Sequence, residues 1–269
     1  MSANDLRVSL LQADTRWHDP LANRQYYDEV IAPLRGTTDL IVLPETFTSG
    51  FSNEVLDQAE TMDGDSVKWM QKQSQLADSA ICGSVQIRDD EKVFNRFLWV
   101  QPDGVVLHYD KRHLFRMANE HRRYAAGAEK LIVQWRGWRI CPQVCYDLRF
   151  PVFSRNRFNH SVTEALDYDM LIYVANWPAA RRNAWNILLR ARAMENLAAV
   201  VAVNRVGIDG NGVEYAGDSV ALNWLGESLA EAGSASQVLS AVFSKSALLD
   251  YRAKFPAYLD ADAFKLILE

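Results

Sequence analysis

Short apolar runs ended by polar breakers alternate with helix-length polar segments, and the alternation occurs twice in the same order. Arg7-Val-Ser-Leu-Leu-Gln12 reads as a strand and is followed by a polar helix through about Leu34. Asp39-Leu-Ile-Val-Leu43 is a short buried strand halted by Pro44, which has no N–H for a ladder. Ser66 to Ala77 has helical spacing, with Asp63-Gly-Asp-Ser66 offering caps. Ala80 to Ile87 and Phe94 to Val100 read as strands, and the turn Pro102-Asp-Gly104 leads into Val105 to His108. In the second half, Arg139 to Val144 answers the first strand and Asp169 to Val174 answers Asp39 to Leu43. Ala199 to Val203 answers Ala80 to Val85, and Val220 to Gly226 answers Phe97 to Gly104. One match among short strands means little. Four in one order argue for an α/β chain of two pseudo-symmetric βαβ-type halves joined face to face, with helices outside.

A length of 269 residues allows one large domain or two small ones. No Pro-, Ser- or Gly-rich linker divides the chain, so a single domain over residues 1–269 is expected. The net charge of −5 lacks the basic footprint of a nucleic-acid binder. The longest aliphatic stretch, Leu197 to Val203, is far short of the ~20 residues that span a bilayer. Met1 to Arg7 lacks the basic, apolar layout of a signal peptide. Cys82, Cys141 and Cys145 are too few and too odd for a disulfide scaffold, so a reducing cytoplasm is expected. An odd thiol is also available for chemistry.

No G-x-S-x-G elbow, Walker loop or G-x-G-x-x-G is present. Cys141-x-x-x-Cys145 is not a zinc spacing, and His108, His113 and His121 lie beside several arginines, as solvated loops do. What remains are polar residues at the ends of apolar strands, where α/β sheets bind ligands. Glu45 follows the strand ending at Leu43, and Cys145 follows the strand ending at Val144. Lys111 closes a hairpin-like unit and can reach the same rim. Each also fits a bland role: Glu45 as a cap, Lys111 as a solvated charge, Cys145 as a small core residue.

At these residues the chain resembles the nitrilase, or carbon–nitrogen hydrolase, superfamily. The matching blocks are Leu43-Pro-Glu45-Thr-Phe, Tyr109-Asp-Lys111-Arg-His-Leu-Phe115 and Val144-Cys145-Tyr-Asp-Leu-Arg149-Phe-Pro151. Glu120-His-Arg-Arg-Tyr-Ala-Ala-Gly127 matches a fourth, in which a glutamate precedes a glycine by seven residues. Asn176-Trp177, Arg190 to Asn196 and Val203 to Gly207 resemble later motifs. The resemblance implies a four-layer α-β-β-α sandwich with Glu45, Lys111, Cys145 and Glu120 at its catalytic centre. Pro44 to Phe51 together with Cys145 to Pro151 is most similar to the omega-amidase branch, which hydrolyses the terminal amide of small dicarboxylic acid monoamides such as 2-oxoglutaramate.

That reaction suits these residue types. A cysteine nucleophile divides amide hydrolysis into acylation and deacylation. Glu45 is the expected base for the thiol, and Lys111 with the backbone N–H of Tyr146 the expected oxyanion donors. Glu120 would orient Lys111 or the substrate amide, or else pair with Arg122 or Arg123. An anionic substrate end calls for a cation. Arg149, four residues past Cys145, offers a bidentate fork, its alternative being an ion pair with Asp147; Arg116 is a second candidate. Phe47, Phe51, Tyr146 and Trp177 would form the walls. No metal, organic cofactor, nucleic acid or membrane is implied. The family implies a homodimer, with 246–269 as a segment reaching the partner. Rival readings are a nitrilase or N-carbamoyl amide hydrolase, a thiol redox protein pairing Cys145 with Cys141, and a silent relative serving as an interaction module.

Overall fold

A computed structural model describes residues 5–54, 56–159 and 165–267. The first sheet begins with β1 (Leu6–Gln12), β2 (Leu40–Val42), β3 (Ala80–Asp89), β4 (Lys92–Val100) and β5 (Val106–Asp110). The second contains β6 (Val133–Trp135), β7 (Trp138–Val144), β10 (Met170–Ala175), β11 (Ala199–Asn204), β14 (Val220–Leu222) and β15 (Ser228–Glu231). Two small hairpins, β8 (Phe158–Asn159) with β9 (Ala165–Leu166) and β12 (Val206–Ile208) with β13 (Glu214–Ala216), are set between those strands in sequence. Strand β16 (Gln237–Phe243) returns antiparallel to β1.

The sheets run β16-β1-β2-β3-β4-β5 and β6-β7-β10-β11-β14-β15. Both have three central parallel strands flanked by antiparallel ones. Thus β1, β2, β3 and β4 correspond to β7, β10, β11 and β14, the four matches read from the sequence.

Side-chain alternation builds the layers. Leu40 and Val42 of β2 face the core between the sheets, joined there by Ile140 and Val144 of β7. Ile41 and Leu43 point outward, under α1 (Pro20–Ile31) and α2 (Asp65–Ala77). On the far side the short α3 (Pro151–Ser154) buries Phe153, and α4 (Arg182–Asn196) buries Trp185, Leu189 and Ala193 on the second sheet. The order is α-β-β-α. The α1 N-terminus uses Pro20 and the Asp19 carboxylate, which accepts the Ala22 N–H at 3.0 Å. At α2 the expected caps in 63–66 are replaced by Glu60, whose carboxylate accepts the Ser66 N–H at 2.7 Å. Gly64 occupies the cap position and has no side chain to do this.

An Arg–Asp clamp recurs at matching ends of both sheets. Asp39 accepts the Arg7 backbone N–H at 2.9 Å and its guanidinium at 2.8 Å. Asp169 does the same for Arg139 at 3.0 and 3.2 Å. Asp169 is fully buried and is further paired with Arg252 at 2.7 Å and with Lys245, both on α5 (Lys245–Lys254). Burial would raise its pKa, but the three cations outweigh it and hold the carboxyl well below the usual range. No helix among the described residues is long and apolar enough to cross a membrane. Of the C-terminal segment, Leu268 and Glu269 lie outside the described residues, as do Met1 to Asn4 of the leading segment.

Candidate active site

Four chain segments meet at the strand ends. After β2, Pro44 ends the ladder and Glu45 turns inward, 1% exposed. After β7, Cys145 adopts a left-handed φ of +45° and opens a short 3-10 turn, Cys145–Arg149. A non-glycine residue in this region costs about 1–3 kcal/mol unless its surroundings hold it. Asp147 is the holder. Its buried carboxylate accepts the Val144 N–H at 2.9 Å, the Tyr109 hydroxyl at 2.8 Å and the His113 N–H at 2.9 Å. His113 Nδ1 lies 2.7 Å away as well. The cysteine turn is thereby bolted to the segment that follows β5 and carries Lys111.

Lys111 is fixed from the other side by Gly127, whose N–H donates to the Lys111 carbonyl at 3.0 Å. A Cβ on Gly127 would stand 2.1 Å from the Asp110 carbonyl oxygen, so only glycine fits there. The Lys111 ammonium, 1% exposed, lies 2.9 Å from Glu45 Oε1 and 3.0 and 3.1 Å from the two oxygens of Glu120. Glu120 is fully buried and also accepts the Phe115 N–H at 2.5 Å. Asn95, in the middle of β4, donates to Glu45 Oε1 at 2.7 Å. Across the sheets, Asn176 donates its backbone N–H to Glu45 Oε2 at 2.7 Å and its side-chain amide to the Glu45 carbonyl at 2.9 Å.

Two carboxylates thus share one ammonium beside a thiol. Burial alone would lower the pKa of Lys111, but Glu120 and Glu45 raise it well above normal, so the ammonium stays charged. Burial raises the Glu120 pKa, with Lys111 opposing. Burial and then the negative charge of Glu45 push the Cys145 thiol well up. The resting thiol is therefore protonated, and it needs a base at the moment of attack.

Glu45, Lys111, Cys145 and Asn176 line a cavity of about 560 Å³, within the range of small-molecule sites. Phe51 belongs to its wall, with the Lys111 ammonium 5.4 Å from the ring centroid. The other expected contacts are elsewhere. Phe47 is fully buried on the outer face of the first sheet, edge-on to Tyr27, because the left-handed φ of +42° at Thr46 swings the chain away from the cavity. Trp177 packs on Trp185, donates its indole N–H to the Arg181 carbonyl at 2.9 Å and supports the wall from behind. Arg149 is exposed, its guanidinium 5.0 Å over the Trp177 ring, and Arg116 is exposed too; neither lines the cavity. The expected Arg149–Asp147 pair is not made, since Asp147 is taken by other donors. Tyr146 is half-buried, edge-on to Phe115 and Phe150.

Asn95 is a site residue not expected from the sequence, where its signal is an Asn-Arg pair inside an otherwise apolar strand. Arg181, Asp209 and Tyr215 are not expected either, and they complete the cavity from the turn before α4 and from the β12–β13 hairpin. Cys141 is fully buried, and all three cysteines are free. Among the described residues no group of three His, Cys, Asp or Glu side chains is arranged to hold a metal.

A doubly layered sandwich with a thiol, two carboxylates and an ammonium around one cavity defines a cysteine hydrolase. The carbon–nitrogen hydrolase family model matches residues 7–252, and the chain belongs to that family. Within it, the chain is 49% identical to omega-amidase YafV of Yersinia enterocolitica over 97% of this chain and 99% of that protein. It is 30% identical to the 2-oxoglutaramate amidase of Bacillus subtilis strain 168, covering 94% and 96%. Among solved structures it is similar to XC1258 of Xanthomonas campestris, a CN-hydrolase superfamily protein with an arsenic adduct in its active site. The TM-score is 0.96 and the identity 58%, over 97% of this chain and 99% of that one. Saccharomyces cerevisiae Nit3 shares the fold at a TM-score of 0.82 and 22% identity, over 94% and 95% of the two chains.

Proposed function

We propose that this chain is an omega-amidase that releases ammonia from small dicarboxylic acid monoamides such as 2-oxoglutaramate, with Cys145 as nucleophile. The observation that carries the reading is the buried Glu45–Lys111–Glu120 cluster opening on the same cavity as Cys145. Its similarity to omega-amidase YafV and to a 2-oxoglutaramate amidase supports the choice of substrate.

The reaction follows from the charges. Sγ attacks the amide carbon while Glu45 takes the thiol proton, which avoids forming a free thiolate beside two carboxylates. The carbonyl π electrons move onto oxygen, and an N–H of Lys111 with the Tyr146 backbone N–H stabilises the oxyanion. The intermediate collapses, the C–N bond breaks, and the proton held by Glu45 goes to the departing nitrogen, which leaves as ammonia. Glu45 then takes a proton from water as its oxygen attacks the thioester. Collapse expels Sγ, which recovers the proton. Glu120 acts by holding Lys111, and Asn95 and Asn176 fix the plane of the Glu45 carboxylate. No step calls for a metal or an organic cofactor.

The assembly is a homodimer in this reading, using exposed apolar side chains such as Leu249, Phe255, Leu259 and Ile267 of the C-terminal segment. Three free thiols suit a reducing, cytoplasmic setting. The test is ammonia release from 2-oxoglutaramate, 2-oxosuccinamate, glutamine, asparagine, simple nitriles and N-carbamoyl amino acids, compared side by side. Preference for the 2-oxo acid monoamides is expected. Preference for a nitrile or a carbamoyl amino acid would reassign the branch.

A further inference from the structure

Resting on that reading, the geometry points to Arg181 as the residue that selects an anionic substrate by receiving its distal carboxylate. Among the described residues, two cationic side chains line the cavity, Lys111 and Arg181. Lys111 is 1% exposed and its charge is already balanced by Glu45 and Glu120. Arg181 is half-buried on the cavity wall, in contact with Met117, which is 75% exposed.

The guanidinium of Arg181 is held without being neutralised. It lies 5.4 Å over the Phe115 ring and 2.7 Å from the Met117 sulfur, a weak acceptor. Among the described residues no ion pair involves it, whereas its neighbour Arg182 is clamped by Asp218 at 2.5 and 2.7 Å. Its backbone is locked: the Arg181 N–H donates to Pro178 at 2.9 Å, and the Arg181 carbonyl accepts the Trp177 indole at 2.9 Å. The fork thus leaves a well-anchored backbone, rests on one ring and one weak acceptor, and keeps its charge for a carboxylate, which it can meet with two donors.

The acids on the wall do not cancel it. Asp209 accepts the backbone N–H groups of Asn211 and Val213, each at 2.9 Å, and the Tyr215 hydroxyl at 2.8 Å. Its charge is spent on the β12–β13 turn. Glu54 is exposed at the rim, where water screens it. The ligand class is therefore a short chain with an amide at one end and a carboxylate at the other. Such a chain puts its amide at Cys145 and its charge at Arg181. In a protein of net charge −5, this local cation is what admits an anion.

The test compares kcat and KM of wild type, Arg181→Ala, Arg181→Lys and Arg149→Ala on 2-oxoglutaramate and on pentanamide, an uncharged amide of the same length. For Arg181→Ala, the ratio of kcat/KM for the anionic over the neutral amide is expected to fall about 10–100-fold, the worth of a charge-assisted contact. The fall is expected in KM rather than kcat, with Arg181→Lys recovering part of it. The Ki of the product dicarboxylate, 2-oxoglutarate, rises in parallel. An active wild type whose ratio is unmoved by Arg181→Ala, or moved by Arg149→Ala instead, overturns the assignment alone. A wild type inert on both amides overturns the amidase reading and the anchor with it.

Discussion

Replacing Lys111 by methionine removes the sole ammonium from a pair of buried carboxylates and keeps the length of the side chain. Its nitrogen stands 2.9 Å from Glu45 and 3.0 Å from Glu120. At an effective dielectric of about 20, each contact is worth about 5–6 kcal/mol before desolvation is counted. Breaking a buried ion pair by removing one partner costs about 3–5 kcal/mol net, because the remaining charge is left uncompensated. That is a large share of the ~5–15 kcal/mol that holds a folded protein. Glu120→Gln, by contrast, leaves Lys111 paired with Glu45 and is expected to cost no more than about 2 kcal/mol.

The two variants also differ in pH dependence. In the wild type the Lys111 pKa is raised, so its contribution is complete below its unfolded value of about 10.4 and is lost only above that. In Lys111→Met the facing carboxylates have folded pKa values above their unfolded value of about 4.3. The folded state then holds the extra protons, and stability falls as pH rises from about 4 upward. Urea unfolding at pH 5 and pH 8, followed by the fluorescence of the eight tryptophans and by circular dichroism, reads this directly. The deficit of Lys111→Met should be larger at pH 8 than at pH 5. A deficit under about 1 kcal/mol at pH 8, or one equal at both pH values, refutes the reasoning.

Three further outcomes are expected. Asp147→Asn removes the charge that gathers Val144, Tyr109 and His113 around the cysteine turn. It should cost about 2–4 kcal/mol, seen as a Tm fall of at least about 5 °C, and should lower kcat as well; an unchanged Tm would mean that the turn is held otherwise. Iodoacetamide at pH 8 should label Cys145, which opens on the cavity beside Glu45, and spare Cys82 and Cys141, which are fully buried away from it. Peptide mapping checks this, and modified Cys141 in folded protein would count against it. Asp169 has a depressed folded pKa, so its contribution is present above about pH 3.9 and is lost as pH falls below that. Asp169→Asn should lower stability at pH 7 and flatten its dependence between pH 4 and pH 2, measured as acid-unfolding midpoints.

The sheets were legible because each central strand is a short apolar run with a polar residue at its start, as in Asp39 and Asp169. Those same aspartates prove to be the clamps that repeat between the halves. Glu45, Lys111 and Cys145 could be placed because strand ends converge in such folds. Wall residues could not. Phe47 is two residues past Glu45, but one left-handed residue between them sends it to the opposite face of the sheet. Arg149 sits one turn beyond Cys145, and a 3-10 turn rotates differently from an α-helix, which leaves its side chain outside the cavity. Arg181 comes from a turn, and Asp209 and Tyr215 from a hairpin, far along the chain, and no local pattern says that these segments fold over the first sheet's strand ends. Asn95 is a middle case. A polar pair inside β4 signals a buried partner without naming it, and the partners are Glu45 for Asn95 and Asp110 for Arg96.

Turnover by this chemistry passes through a covalent thioester on Cys145. Acid quenching of the enzyme during turnover of 2-oxoglutaramate, followed by intact-mass and peptide analysis, tests it most directly. A mass gain equal to substrate minus ammonia is expected, confined to the Cys145 peptide and absent from Cys145→Ala, which releases no ammonia. Undiminished ammonia release by Cys145→Ala, or an adduct on a different residue, would contradict it.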